Sequence, residues 1–257
     1  MNIYVVMKRT FDTEEKVEIN DGIIDEEGAE FVINPYDEYA IEEAIVLKEA
    51  HGGEITVVTV GNEDAEKELR TALAMGADQA VLLDTEDLDG EIDHYTISEM
   101  LSAFFQDKEY DIILGGNVAV DDGAGQVAPR LAEKLEINQL TTITKLDIDG
   151  ESAYIERDVE GDVEIVEANL PLLVTCQQGL NEPRYPSLPG IMKAKKKPLE
   201  TLDLDDLDLD EDDLEAKTRT VDRFLPPEKD AGKRLEGEPH EQVQELMSLL
   251  KNEAKVI

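Results

Sequence analysis

Three nearly unbroken apolar runs constrain this chain more than anything else in it: EITVVTVG at residues 54–61, QAVLLD at 79–84 and DIILGG at 111–116. A strand with one wet face alternates apolar and polar residues, so runs this continuous belong to strands covered on both faces, as in a parallel sheet. The stretches between them read as helices: NEDAEKELRTALAMG (62–76), ending at Gly76, and a second from about Thr96 to Gln106. Upstream, NIYVVM (2–7) and EFVINP (30–35) read as two further strands, with an acidic turn region, NDGIIDEEG, between them. Asn34 is placed to cap the helix that follows, Pro35 suits its first position, and Asp37 and Glu38 fall in its first turn. Ile41, Ala44, Ile45 and Lys48 recur at helical spacing until Gly52-Gly53 stops the helix. After DIILGG come the loop NVAVDDGAG and a helix, QVAPRLAEKL. Strands alternating with helices predict an α/β fold with a doubly wound parallel sheet.

After Asn138 the rhythm changes. TTITKLDI and the segments up to LPLLVTC read as short alternating strands joined at Asp149-Gly150 and Glu160-Gly161, an antiparallel addition to the sheet. TLDLDDLDLDEDDLE (201–215) is low-complexity and acidic, which predicts a solvated segment or one clasping a partner. EPHEQVQELMSLLKNEA (238–254) reads as an amphipathic helix with Val243, Leu246, Leu249 and Leu250 on one face. The expected division is a nucleotide-binding domain over 1–200 and an acidic arm with a terminal helix over 201–257.

Acidic residues outnumber basic ones 62 to 24, for a net charge of -38. They are spread through every segment, which favours adaptation of the whole surface to molar salt over a single patch for a basic partner. At this charge nucleic acid is not an expected partner. No apolar run reaches the roughly 18 residues that cross a membrane, and MNIYVVMKRT reads as a strand rather than a signal peptide. The single cysteine, Cys176, excludes an internal disulfide and fits a reducing cytoplasm; it ends a buried run and reads as a core residue.

In an open parallel sheet, ligands lie beyond the carboxyl ends of the strands, where the order of winding reverses. Here those positions are Lys8-Arg9, Asn34 to Asp37, Val60-Gly61 and Gly115 onward. Within the last, GAGQVA (123–128) fits G-x-G-x-x-A before a helix, a pattern that lets backbone N–H groups cradle a phosphate, although on the motif alone a glycine-rich turn easing the start of the helix is favoured. Asp121 and Asp122 repel phosphate and are expected to meet ribose hydroxyls or backbone donors. There is no G-x-x-x-x-G-K-[ST] loop, and His51, His94 and His240 fall in unrelated segments, read as surface residues that assemble neither a metal site nor a triad.

Several stretches converge on one family. INPYDEYAIEEAIVLKE (33–49), LRTALAMGADQAVLL (69–83), VAVDDGAGQVA (118–128), IERDVEGDVEIVEANLPLLVT (155–175) and LNEPRYPSLPGIMKAKKKPLE (180–200) resemble electron-transfer flavoprotein beta subunits. The resemblance implies a nucleotide-binding sheet of the adenine nucleotide alpha hydrolase type. It implies an alpha-subunit partner holding FAD, and electrons passing from flavin dehydrogenases, such as acyl-CoA dehydrogenases, to a quinone oxidoreductase. It further implies a structural AMP in this chain. By position, the AMP contacts are Val6, Asn34, Pro35, Tyr36, Asp37, Val60 and the loop Gly116, Asn117, Val118, Ala119, Val120, Asp121, Asp122, Gly123, Ala124, Gly125, Gln126 and Val127. The nucleotide loop departs from the family pattern in having Gly123 where a third acid is common. A branch that bifurcates electrons carries a second FAD in place of AMP, and NPYDEYA and GQVAP lean toward it, so FAD is the alternative ligand.

The same resemblance assigns residues 181–197, with prolines at 183, 186 and 189 and four lysines within five positions, to a recognition loop that docks on the dehydrogenase. Leu188 resembles its apolar anchor. Arg184, Tyr185, Ile191, Met192, Lys193, Lys195, Lys196 and Lys197 are expected to flank that anchor, the lysines pairing with partner acids or supplying charge at a helix C-terminus. Asp158 falls where the family has an acid facing the alpha subunit. Two rivals on the same sheet are weaker: an adenylating enzyme would show a Ser-Gly-Gly-x-Asp-Ser-like loop, and a nucleotide sensor would have no use for the antiparallel addition.

Overall fold

In the computed structural model, which describes residues 1–20, 22–227 and 231–257, the N-terminal run is strand β1 (Asn2–Val6). Short strands follow, β2 (Arg9–Phe11), β3 (Glu18–Asn20), β4 (Ile23–Asp25) and β5 (Phe31–Ile33), then helix α1 (Pro35–His51). The alternation continues through β6 (Glu54–Gly61), α2 (Glu66–Met75), β7 (Gln79–Asp84), α3 (His94–Phe105), β8 (Ile112–Gly116) and α4 (Val127–Lys134). Next come β9 (Asn138–Asp149), β10 (Ser152–Val159), β11 (Asp162–Asn169) and β12 (Leu172–Cys176). The chain ends with α5 (Leu188–Ala194), β13 (Leu199–Leu202) and α6 (Pro239–Ser248). Asp21, in the expected turn region, and 228–230 of the arm lie outside the described residues.

Nine strands form one sheet in the order β11-β10-β9-β12-β8-β1-β6-β7-β13. β1 is central and parallel to β6 on one side and β8 on the other. Alternate residues of each central strand enter opposite layers. Val57, Ile112, Leu114, Leu172 and Val174 pack with Ile41, Ala44, Leu69 and Leu73 of α1 and α2, whereas Val58, Ile113 and Leu173 meet Met100, Leu101, Phe105 and Leu131 of α3 and α4. Burial on both faces is why these runs are apolar throughout.

The sheet is doubly wound as expected, and the antiparallel addition is present as β9–β10–β11 with turns at Asp149-Gly150 and Glu160-Gly161. β9 does double duty. Its first half runs parallel to β12 and its second half antiparallel to β10, with Thr142 at φ 59° between them. The expected second strand of the parallel sheet is instead β5, a three-residue piece paired antiparallel with β2 outside the main sheet. Only Ile33 of it is buried, and Pro35, lacking an N–H, ends any further pairing.

The acidic stretch also differs from its expected solvated state. β13 pairs in parallel with β7, and Leu204, Leu207 and Leu214 are buried in the α3–α4 layer. Thr96 Oγ1 donates to the Leu214 carbonyl at 2.8 Å, fastening this segment to α3. Its leucines are core and its aspartates are the wet face. Beyond it, α6 begins with a capping box between Glu238 and Glu241, and Val243, Leu246 and Met247 remain exposed.

Candidate functional site

A cavity of about 260 Å³ opens where β1, β6 and β8 end. The winding reverses there, since α1 leads from the β1 side to β6 and the later helices cover the opposite face, so the strand ends splay around a crevice. Val6, Val60, Ile97, Leu101, Val118 and Val127 give it apolar walls.

Two side chains from the start of α1 shape this crevice. Asn34, expected to cap α1, makes no side-chain cap bond. Its Nδ2 donates to the Val118 carbonyl at 2.9 Å and its Oδ1 accepts from the Val120 N–H at 3.2 Å, so it holds the loop after β8 instead. Asp37 is buried, with one carboxyl oxygen accepting the Lys8 N–H and the other the Gly116 N–H, both at 2.7 Å. It staples the ends of β1 and β8 together. Thr59 Oγ1 adds a bond of 2.8 Å to the Met7 carbonyl.

Burial pushes the Asp37 carboxyl up from 3.8 to about 7, against the lowering effect of its two N–H bonds. Between about pH 4 and 7 the native state therefore holds a proton that the unfolded chain has released. Stability rises with pH only where the unfolded state holds more protons, so this group makes stability fall as pH climbs through that window. Asp37→Asn should remove that contribution. Urea midpoints of the variant, subtracted from those of the parent from pH 4 to 7, should give a difference that depends on pH; a pH-independent difference would place the titration of Asp37 elsewhere.

The loop that follows β8 turns on Gly123 and Gly125, both at positive φ, 62° and 58°. A side chain at 125 would also press on the Asn117 carbonyl at 3.2 Å. Asp121 and Asp122 lie beside this turn and meet Lys8, whose Nζ donates to them at 2.7 and 2.8 Å. Asp122 also accepts from the Ala124 N–H at 2.8 Å and lies 3.2 Å from His94 Nε2. Partial burial works against ionisation, but Lys8, the Ala124 N–H and His94 together hold its carboxyl down at about 2.

Of the expected nucleotide contacts, Val6, Asn34, Asp37, Val60, Gly116, Asn117, Val118, Ala119, Asp122, Gly125, Gln126 and Val127 line this one cavity. Pro35, Tyr36, Val120, Asp121, Gly123 and Ala124 are not on its wall; Tyr36 packs behind Gly116, and the others shape the loop and the start of α1. His94, read from sequence as a surface residue, is on the wall with Ile97 and Leu101. The missed signal was Asp93, whose carboxylate accepts from the Tyr95 and Thr96 N–H groups at 2.9 and 3.0 Å and starts α3 at His94 rather than Thr96. Cys176 is fully buried and burial pushes its thiol up, which fits a core residue.

The segment expected as a recognition loop contains a short helix, α5. Arg184, one of the residues expected to flank the anchor, turns inward: its guanidinium meets Glu42 at 2.9 Å and Glu49 at 2.8 Å on α1. Lys197 Nζ donates to the Leu73 and Ala77 carbonyls at 2.9 and 2.5 Å, the end of α2, so this lysine does supply charge at a helix C-terminus. Arg70 binds the Ala194 and Lys197 carbonyls at 3.1 and 2.9 Å and closes α5 from below. Held this way, the helix projects Leu188 (80% exposed) and Met192 (73%), with Ile191 beside them, and Tyr185 (93%) stands exposed in the segment that leads into it. Lys193, Lys195 and Lys196 point to solvent. Arg184→Ala should cost about 2 kcal/mol, because it removes the guanidinium and leaves the buried Glu42 only the backbone N–H of residue 184; a urea midpoint unchanged in the variant would show that this N–H and water satisfy Glu42.

A second exposed apolar surface lies on β10 and β11. Asp158 is exposed there with Val163 paired opposite, and Ile165 stands opposite Glu156 two residues along.

The model of the electron transfer flavoprotein domain matches residues 21–207. The chain belongs to the electron transfer flavoprotein family. It is 70% identical, over the full length of both chains, to an electron transfer flavoprotein subunit beta of Bacillus subtilis. It is 36% identical to an acryloyl-CoA reductase electron transfer subunit gamma of Anaerotignum propionicum, with 97% of this chain and 98% of that one covered. It is 34% identical to a subunit of the caffeyl-CoA reductase–Etf complex of Acetobacterium woodii, over 92% of each. In this electron transfer flavoprotein chain the matched region ends at Leu207, within the leucine–aspartate stretch that packs on α3, and the packed core runs on to Leu214.

Proposed function

We propose that this chain is the beta subunit of a heterodimeric electron transfer flavoprotein, an electron carrier rather than an enzyme, and that its cavity buries AMP as a structural nucleotide. One observation carries the nucleotide reading: twelve residues expected to touch the nucleotide, drawn from four separate segments, converge on a single crevice at the reversal of winding. Apolar walls suit an adenine ring, and the Gly123–Gly125 turn opens onto the amides that start α4, which suit a phosphate. The cavity is small against the roughly 300–1,000 Å³ of ligand sites in general, which favours a mononucleotide.

Electrons reach the complex from a flavin dehydrogenase that docks on α5, where the prolines limit the loop and Arg184, Arg70 and Lys197 clamp it, reducing the order to be imposed on binding. They leave to a quinone oxidoreductase. The alpha subunit, holding FAD, covers the apolar face of β10–β11 around Asp158 and the exposed face of α6. A net charge of -38 spread over the surface supports function in a salty cytoplasm. Two relatives named as subunits of CoA reductase complexes favour a second reading, in which the cavity takes a second FAD.

Nucleotides released by acid from the complex of this chain with its alpha subunit, purified in concentrated KCl, should be one FAD and one AMP. Two FAD would replace AMP by a redox-active flavin at this site. One FAD alone would remove the nucleotide from this chain.

A further inference from the structure

The crevice is lined by acids and yet suited to an anion, and the resolution lies in where its cations point. Among the described residues, Lys8 and Arg9 are the lysine and arginine on its wall. Arg9 is directed away: its Nε lies 3.3 Å from the buried carboxylate of Glu68, and its guanidinium stacks 3.5 Å above the Phe31 ring. Lys8 points at the loop, bridging Asp121 and Asp122 from the opposite side of the crevice, 113 and 114 residues distant in the chain. Asp122 is on the wall, and its other neighbours are the Ala124 N–H and His94. Without Lys8 the charges of Asp122 on the wall and of Asp121 next to it in the loop would stand unneutralised near any phosphate placed at the start of α4.

We propose that Lys8 is a positioning residue that makes this acidic loop tolerate a phosphate, by clamping Asp121 and Asp122 and cancelling one of their two charges. The inference rests on the nucleotide reading above and extends it to what selects an anionic ligand. It separates two tasks. The walls and Asn34 hold the nucleoside, and the Lys8 clamp decides whether a phosphate can accompany it.

The test uses the heterodimer stripped of its beta-subunit nucleotide and titrated with AMP and, separately, with adenosine, which lacks the charge. Lys8→Met should weaken AMP about 100-fold, the factor expected of one net like charge at about 6 Å under intermediate screening, and leave adenosine within about 3-fold. Adding Asp121→Asn and Asp122→Asn to Lys8→Met should return AMP to within about 10-fold of the parent. Equal losses for AMP and adenosine would overturn the proposal, as would a triple variant that recovers nothing. If Lys8→Met does not assemble with the alpha subunit, the triple variant decides: assembly with AMP bound supports the charge role, and failure of both shows that Lys8 serves the fold. A parent complex that binds neither AMP nor adenosine defeats the nucleotide reading itself and this inference with it.

Discussion

Replacing Gly116 by alanine should lower the unfolding free energy by about 3 kcal/mol and leave the purified complex with little adenine nucleotide. A Cβ built at this position collides with Asp37 Oδ1 and lies 2.7 Å from the Tyr36 Cβ and 2.9 Å from the Tyr36 carbonyl carbon. Neither obstacle is the loose end of a side chain. Asp37 is fixed by two backbone N–H groups, one of them that of Gly116 itself, so relief of the clash must break the staple between β1 and β8. The neighbouring Gly115 provides the comparison, because its added Cβ would come no closer than 3.4 Å to the Val6 carbonyl and should be tolerated at well under half that cost. Urea unfolding and nucleotide content measure both effects. Equal midpoints for the two variants would mean that the start of α1 can withdraw from β8 without loss.

Leu188→Ala should act in the opposite manner, slowing reduction of the complex by the flavin dehydrogenase proposed to dock on α5 about 30-fold in kcat/KM while stability and flavin content stay put. The side chain is 80% exposed, so truncation removes little from the fold. A central apolar anchor in a protein interface is worth about 2 kcal/mol, which is the 30-fold stated. Ser187 caps the first turn of α5 through the Gly190 N–H at 3.1 Å, and Gly190 lies against the Ala74 carbonyl, so the helix that presents Leu188 is fixed before any partner arrives. Transfer rates unaltered by the substitution would move the docking surface off α5.

Much of this architecture is legible in the sequence because a strand buried on both faces is aliphatic at nearly every position. EITVVTVG, QAVLLD and DIILGG declare themselves on that ground, and Pro35 and Gly52 bracket α1 by chain stiffness and positive φ. The positions that mislead are those whose partners are distant in the chain. Nothing local tells that the Asn34 amide serves Val118 and Val120 in preference to its own helix, or that Asp37 is buried against Gly116 and not displayed at a helix N-terminus. EFVINP carries the composition of a sheet strand, but three paired residues do not specify which ladder they join. LDLDDLDL fails for another reason: its repetitive composition hides leucines that face inward while its charge draws the eye to solvent. The cavity itself is half legible. Strand ends and the Gly123–Gly125 turn mark it, whereas the contribution of α3 through His94, Ile97 and Leu101 depends on how two layers close over the sheet.

The central place of β1 has a consequence for how the chain is made. The strand is synthesised before both of its partners, Glu54–Val58 on one side and Ile112–Gly115 on the other. At synthesis rates of about 5–20 residues per second, the strand waits roughly 5–20 s between its own emergence and that of β8, and longer before β12 and β13 extend the sheet. Pairings this far apart in sequence also form slowly once available. Until β6 emerges both edges of this aliphatic strand are open, and until β8 emerges one of them still is. Slowing or hastening translation between residues 60 and 112 is therefore the step at which yield should respond.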